Sequence, residues 1–204
     1  MADPIKVYRT TAFVPLAQEI GKFGAISKAE ALTRFDPQLL AGARRRVCEE
    51  RETKIGNVLN LLHAGRKLIG MAGGFTPTDR GVMDAVCLRQ IALKLEQEGL
   101  ELDFTARKRS AVYTKDGRKI LVLAQHNGYN FAALRRRYNE LLETKLYDEI
   151  HMYSYLSEAE LAELAKTLYE PARQSKPLDP DRLRLERLPL PDEVWSPRKA
   201  ASVN

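Results

Sequence analysis

Residues 110–124 of the chain are SAVYTKDGRKILVLA. The central Asp116-Gly117 pair tolerates the positive φ angles of a two-residue hairpin turn, and short strand-like runs flank it on both sides. The stretch therefore predicts two antiparallel strands, Ser110–Thr114 and Lys119–Ala124. Two more strands are expected elsewhere, at Leu100–Phe104 and Glu149–Tyr155.

Helices are expected on both sides of these strands. Thr78-Asp79 can cap a helix that Gly99 ends. An amphipathic pattern predicts a helix over Asn130–Glu143. Ser157–Glu160 has the spacing of a capping box and opens a last helix. The second half of the chain therefore predicts a small mixed sheet flanked by helices.

The first half of the chain has helical patterns. Ser27–Glu30 has the spacing of a capping box, and Asp36-Pro37 is a second helix start. From there to His63 we expect two helices broken near Arg51–Thr53, and Ala64-Gly65 ends the second. The buried face of that second helix would consist of Ile55, Val58, Leu59 and Leu62. The chain is thus predicted to be an α+β protein with a helical N-terminal half.

Composition divides the chain into three parts: a helical domain (1–83), an α+β domain (84–170) and an extended tail (171–204). The tail holds six of the ten prolines and the only tryptophan, Trp195. This proline density excludes a long helix or a central strand. The tail's leucines and Trp195 are expected to lie against protein, either this chain or a partner.

Several classes of protein are excluded by composition. No window approaches 18 consecutive apolar residues, and the first residues lack the pattern of a signal peptide, so we expect neither a membrane partner nor export. Cys48 and Cys87 are isolated in sequence, which argues against a disulfide scaffold or a cysteine zinc cluster. The sequence predicts a cytoplasmic protein without a cofactor or a metal site.

The charge of the chain favours an anionic partner. Lys and Arg number 33 against 27 Asp and Glu, a net charge of +6. Residues 1–98 carry 15 basic and 11 acidic side chains, whereas residues 99–170 carry 11 of each. A basic protein attracts polyanions such as nucleic acid, although net charge says nothing about fold.

Residues 61–69, LLHAGRKLI, and residues 73–81, GGFTPTDRG, carry a first resemblance. They are similar to the end of a winged helix-turn-helix domain, in which a recognition helix stops at a glycine, a two-stranded wing follows, and a Thr-Pro corner leads onward. The resemblance implies DNA binding by roughly residues 14–84. Thr53, Lys54, Asn57 and Asn60 would face a major groove, although the acids just before them would repel phosphates.

The residues predicted to contact nucleic acid are basic or carry an amide. In the second half, residues 107–119 hold six basic residues against one acid, and Arg135–Arg137 follow on a helix, where at most two of the three share a face. An ordinary solvated surface is the alternative for these clusters. The predicted set is Arg44, Arg45, Lys54, Asn57, Arg66, Lys67, Arg107, Lys108, Arg109, Arg118, Lys119, Arg135 and Arg136.

The order of elements over residues 84–155 carries a second resemblance. Helix, three strands, helix, strand is similar to the core of the PD-(D/E)xK restriction-endonuclease-like family. That family implies a metal-binding acid and a lysine on the third strand, where this chain has Gln125 and Asn127. Neutral amides are poor ligands for magnesium. No catalytic residue is therefore predicted, and Asp103 is the acid that a remaining nuclease would use, alongside Glu101.

The whole layout is similar to replication-relaxation-type proteins of mobile elements, while a ParB/sulfiredoxin-like domain is a rival interpretation of the second half. The sequence predicts a non-enzymatic nucleic-acid-binding regulator or accessory factor of a plasmid, phage or other mobile element, with duplex DNA as its partner. Two alternatives stay open. One is a protein-binding inhibitor or adaptor that uses the basic surface and the 171–204 tail, and the other is a metal-dependent nuclease.

Overall fold

Helices and strands are mixed throughout the chain, which confirms the predicted α+β class. The computed structural model describes residues 10–72, 76–107, 110–125, 135–136, 138–140, 143–171 and 177–195. The chain divides into two units. The first unit comprises residues 1–86 and 189–204, and the second unit comprises residues 87–188.

The first unit begins with four helices and three strands. A 3-10 turn over Thr10–Phe13 leads into this part of the chain. The elements are α1 (Val14–Phe23), β1 (Ala25–Ser27), α2 (Lys28–Arg34), α3 (Pro37–Ala43), β2 (Cys48–Thr53), β3 (Gly56–Leu61) and α4 (His63–Leu68).

A three-stranded antiparallel sheet with the order β1-β3-β2 supports the helices of this unit. The pairing of β2 with β3 runs from Cys48 opposite Leu61 to Thr53 opposite Gly56. Leu59 and Leu61 face the helices and join their apolar core. The remaining members of this core are Phe13, Leu16, Ala17, Ile20, Ile26, Ala31, Leu40, Ala43, Val47 and Cys48.

The two helices predicted from Asp36 to His63 are wrong beyond Ala43, because the first helix ends there and residues 48–61 form the β2–β3 hairpin. Gly56 has a φ of +99° at the turn, which a glycine adopts without strain. Val58 and Leu59 are both buried although they lie on opposite faces of β3. The spacing that suggests one helical face therefore comes from a strand buried on both sides.

The glycine stop and the wing predicted after it are also wrong. Gly65 lies inside α4, where a Cβ atom would stand 2.1 Å from the carbonyl oxygen of Val47. This glycine permits a close approach of helix and backbone instead of ending a helix. Lys67 and Leu68, expected in the wing, are helical, and Gly73–Phe75 lie outside the described residues.

The second unit is built on a five-stranded mixed sheet. Helix α5 (Asp79–Gln97) precedes the sheet in sequence, and the boundary between the units falls after Val86 of this helix. The strands are β4 (Asp103–Arg107), β5 (Ser110–Lys115), β6 (Arg118–Gln125), β7 (Glu149–Ser154) and β8 (Leu183–Arg187). Their order is β4-β5-β6-β7-β8, and β7 runs parallel to both of its neighbours.

The hairpin predicted at Asp116-Gly117 is confirmed, with φ angles of 51° and 76° at these two residues. The first strand begins later than predicted, at Asp103, and its pairing with β5 is irregular. Thr78 caps α5 through a bond of 3.1 Å from Gly81 N to its hydroxyl oxygen, and Gly99 takes a φ of +79° after the helix.

Helices cover the sheet as the sequence predicts, so far as they are described. Of the helix predicted over residues 130–143, positions 135–136, 138–140 and 143 are helical, and the other positions lie outside the described residues. Helix α6 (Glu158–Tyr169) starts with a complete capping box formed by Ser157 and Glu160. Leu161, Leu164 and Leu168 of α6 are buried.

The proline-rich tail contains regular structure between its prolines. Strand β8 is an edge strand of the sheet, and a five-residue helix, α7 (Pro191–Trp195), follows it in the first unit. The expectation of no long helix and no central strand therefore holds for the described part of the tail. Leu183 and Leu188 are buried within this chain.

None of the described helices combines the length and apolar composition that crossing a bilayer requires.

Candidate nucleic-acid interface

Two short helices of the first unit, α2 and α3, are joined by a two-residue turn. The Ser27 hydroxyl accepts a hydrogen bond of 3.1 Å from Glu30 N at the start of α2. Asp36 accepts bonds of 2.7 and 3.1 Å from Gln38 N and Leu39 N, and Pro37 follows as the first residue of α3. Both helix starts are therefore fixed by local sequence, as predicted.

The arginine run Arg44–Arg46 forms the connection from α3 to β2. Arg45 adopts a φ of +67°, and its N–H donates to the carbonyl oxygen of Cys48 over 2.9 Å. The Arg46 N–H donates to the carbonyl oxygen of Ala43 over 3.1 Å. All three arginines are exposed, and this tight turn presents their side chains at the end of α3.

Glu50 compensates part of the positive charge near this turn. Its carboxylate accepts hydrogen bonds of 2.9 Å from Lys28 Nζ and from Asn57 Nδ2. Arg44 Nε lies 2.9 Å from Glu50 Oε2, an ion pair without the alignment of a hydrogen bond. Arg44 and Asn57, two of the predicted contacts, are thus already engaged by Glu50.

Glu49 faces the other side of the hairpin and has its own partners. Its carboxylate accepts a hydrogen bond of 2.9 Å from Asn60 and bonds from the Arg51 guanidinium. Arg51 also donates to the carbonyl oxygen of Pro77 over 2.8 Å. The Asn60 amide, and then Arg51, hold the pKa of Glu49 below its ordinary value. The amide of Asn60 is therefore not available to a base edge.

Three further cations lie on the α3–β2 connection and in the hairpin turn. Arg45, Arg46 and Lys54 are exposed, and none of their side chains forms an ion pair within the part of the chain that the structure describes. Lys54 lies in the hairpin turn, where the Thr53 hydroxyl donates to the carbonyl oxygen of Gly56 over 2.6 Å. The set predicted from sequence omits Arg46, and the signal that identifies it is the arginine run itself.

Helix α4 presents two further predicted contacts. Lys67 is exposed, whereas Arg66 is half-buried beside a small cavity that Glu49 and Asn60 also line. The two residues therefore lie on a helix and not on the wing that the sequence suggested.

Most predicted contacts of the second unit are engaged or lie outside the described residues. Arg118 forms an ion pair of 2.9 Å with Glu149, and Arg136 lies 3.6 Å from Glu140. Arg135 donates to the carbonyl oxygens of Thr167 and Leu168. Lys119 is exposed in β6. The side chain of Arg107, and both Lys108 and Arg109, lie outside the described residues.

A buried polar network in the second unit is a feature that sequence reasoning missed. His151 Nε2 lies 2.9 Å from Glu149 Oε2, and His151 Nδ1 lies 3.0 Å from the Tyr113 hydroxyl. Burial, with the charges of Glu186 and Glu149, raises the pKa of Tyr113 to about 12. Tyr113 therefore keeps its proton at neutral pH, and its hydroxyl and the Glu149 carboxylate lie against the two ring nitrogens of His151. Glu149 and His151 alternate with apolar residues along β7, and this alternation is the sequence signal that could have identified the network.

The residues considered for a nuclease do not assemble a described catalytic centre. Asp103 and Glu101 line an open cavity of about 460 Å³ with Lys119. Gln125 is buried at the end of β6, and Asn127 lies outside the described residues. Among the described residues, no group of three or more His, Cys, Asp or Glu side chains is placed to hold a metal ion.

The two cysteines belong to the interior. Cys48 and Cys87 are both buried, and burial raises the pKa of the Cys48 thiol to about 11. A thiol with a raised pKa is a poor nucleophile at neutral pH. This agrees with the core role that the sequence suggests for both residues.

No protein-family model matches the chain, and no curated protein sequence matches it either.

Proposed function

We propose that the first unit binds nucleic acid, with duplex DNA as its partner, through the connection between α3 and β2 and the turn of the β2–β3 hairpin. The observation that carries the proposal is that Arg45, Arg46 and Lys54, on these two loops, are exposed and have no acidic partner among the described residues. Such cations are free to replace the counterions of a phosphate backbone.

The order of elements supports a winged-helix interpretation of this unit. Helix, strand, two helices joined by a short turn, and an antiparallel hairpin follow each other over residues 14–61. In this proposal α3 enters the major groove, and the β2–β3 hairpin is the wing beside it. The recognition helix is thus placed at Pro37–Ala43 and not at residues 53–63.

Helix α3 carries the side chains needed for limited base contacts. Gln38 and Ala41 are exposed on it. A glutamine amide can pair with adenine, and an alanine methyl can pack on the methyl group of thymine. Arg45 and Arg46 then supply phosphate contacts that fix the orientation of the helix on the duplex.

In our proposal the second unit does not catalyse a reaction. Its order of helix, three strands, helical residues and strand supports a restriction-endonuclease-like core, and Gln125 stands where a metal-binding acid would be expected. We therefore propose a regulator or accessory factor of a plasmid, phage or other mobile element that acts in the cytoplasm by binding.

Fluorescence anisotropy with a labelled duplex tests this function. At 50 mM salt we expect binding, and replacement of Arg45, Arg46 and Lys54 by alanine should weaken it by at least about tenfold, because three phosphate contacts are removed. The matched control replaces Arg136, Lys145 and Lys166, three exposed cations of the second unit, and should weaken binding by less than about threefold. A wild-type protein that binds no duplex at 50 mM salt would instead favour the protein-binding adaptor.

A further inference from the structure

The five-residue helix α7 lies beside the hairpin turn of the first unit. It packs on α2 and buries Pro191. Helix α7, α2 and the hairpin line an open cavity of about 500 Å³, with Trp195 and Leu32 in its walls. The chain therefore brings its C-terminal segment back to the region where we place the nucleic-acid contacts.

Asp192 of α7 approaches the hairpin turn itself. A Cβ atom built on Gly56 would lie 3.0 Å from Asp192 Oδ2, so the carboxylate is in close contact with this glycine. Gly56 is two positions from Lys54 in the same turn. The contact depends on the absence of a side chain at Gly56.

Asp192 carries its charge on an exposed side chain of α7. This side chain forms no ion pair within the described part of the chain. Three other acids of this unit are paired, Glu49 with Arg51, Glu50 with Lys28 and Arg44, and Asp79 with Arg51, whereas Glu52 on β2 is exposed like Asp192 and forms no ion pair among the described residues. A free carboxylate beside the turn repels a phosphate that approaches Lys54.

We propose that α7 is an autoinhibitory element that lowers the affinity of the first unit for nucleic acid by holding Asp192 at the hairpin turn. This inference rests on the proposed function. It extends that function by regulation, because release of a short helix from α2 would remove the carboxylate and strengthen binding.

A charge series at Asp192 tests the position of the helix. At 50 mM salt, Asp192→Asn should tighten duplex binding by about threefold and Asp192→Lys by about tenfold, with smaller gains at 200 mM salt as screening increases. The matched controls are Asp181→Asn and Asp181→Lys, the same changes at an exposed acid of the second unit. Equal gains at Asp192 and Asp181 would overturn the inference.

Release of the helix is tested separately with Trp195→Ala. This substitution removes a side chain of α7 that lines the cavity beside α2, and we expect binding to tighten by about threefold. If Asp192 lowers the affinity only while α7 is docked on α2, adding Asp192→Asn to Trp195→Ala should produce little further gain in affinity. A double-mutant cycle measures this. A fully additive double variant would contradict the inference. Thermal unfolding of each variant checks that the first unit remains folded.

Failure of this inference is distinguishable from failure of the proposed function. A wild-type protein without duplex binding at 50 mM salt overturns both. Normal wild-type binding with unchanged affinity in Asp192→Lys and Trp195→Ala overturns the inference alone.

Discussion

Basic residues are present in both units, but they have different neighbours. In the first unit Arg45 and Arg46 are exposed and no described acid pairs with them. In the second unit Arg118 pairs with Glu149, and Arg135 donates to the carbonyl oxygens of Thr167 and Leu168. A count of basic residues in the sequence therefore does not show which of them are already engaged by neighbouring groups.

The acidic residues of both units are also engaged by neighbouring side chains. Glu49 and Glu50 in the first unit look repulsive to phosphates in the sequence, yet both are engaged by neighbouring cations or amides. Glu149 in the second unit is buried beneath two exposed arginines, Arg118 and Arg184. Several of these partners are distant in sequence, as Lys28 is from Glu50 and Arg184 is from Glu149, so charge runs are poor guides to free charge.

The largest effect is expected from ending the chain after Glu170. This change removes β8, together with Leu183 and Leu188, which are buried at 0 % and 2 % exposure. Each buried leucine contributes about 1.5–3 kcal/mol, so the free energy of unfolding should fall by at least about 3 kcal/mol. Thermal and urea unfolding measure the loss.

A chain that ends after Trp195 is the control for this truncation, because it keeps both β8 and α7. Unchanged stability of the chain ending after Glu170 would show that the tail is a dispensable linker.

A smaller effect is expected from Glu149→Gln in the second unit. The Glu149 side chain is 4 % exposed and faces Arg118, Arg184 and His151. Loss of its charge should lower the free energy of unfolding by about 2 kcal/mol, less than for a fully buried pair because both arginines reach solvent. Urea unfolding measures this effect, with Glu163→Gln on the exposed side of α6 as the control.

Glu149→Gln also tests whether the second unit contacts nucleic acid. Glu149→Gln releases Arg118 and Arg184 from their acid, but duplex affinity should stay within about twofold of wild type, the range expected of a site without phosphate contacts. A clear gain in affinity would place nucleic acid on the second unit.

The smallest effect is a pH dependence in the first unit. Asn60 and Arg51 lower the pKa of Glu49 from an ordinary value of 4.5. Its stabilising contribution is therefore complete above pH 4.5 and is lost as the pH falls through the lowered pKa. Because about a third of the side chain is exposed, the contribution should be below about 1 kcal/mol.

Glu49→Gln checks that pH dependence. The variant should be slightly less stable than wild type at pH 7, and the difference should disappear between pH 5 and pH 3 in urea unfolding. A difference that persists unchanged at pH 3 would mean that the Glu49 charge does not contribute.

Local signals explain what the sequence predicts correctly. Asp116-Gly117 specifies a hairpin because both residues take positive φ angles, and the side chains of Ser27, Asp36 and Ser157 cap helices within three positions of themselves. Neither type of signal depends on the rest of the fold.

Distant contacts explain what the sequence could not provide. Strand β2 contains Glu, Arg and Thr in place of apolar β-formers, so its pairing with β3 and its side-chain partners determine its conformation. Strand β8 lies between Pro180 and Pro189 and is defined by pairing with β7. Gly65 resembles a helix stop until the approach of Val47 is known.

The candidate site was only partly predictable for the same reason. Arg44, Arg45 and Lys54 are recognisable as cations in the sequence, but the helix on which the sequence places Lys54 and Asn57 does not exist. Capture of Arg44 and Asn57 by Glu50 depends on a sheet that the sequence does not predict.

The salt dependence of duplex binding tests the central claim, that the free cations of the first unit bind phosphates. Each phosphate contact contributes about −0.9 to the slope of log K against log salt concentration for duplex DNA. Replacing Arg45 and Arg46 by alanine should therefore make the slope shallower by nearly 2, whereas replacing Arg118 and Lys119 should leave it unchanged. A slope that changes only with Arg118 and Lys119 would contradict the account and move the interface to the second unit.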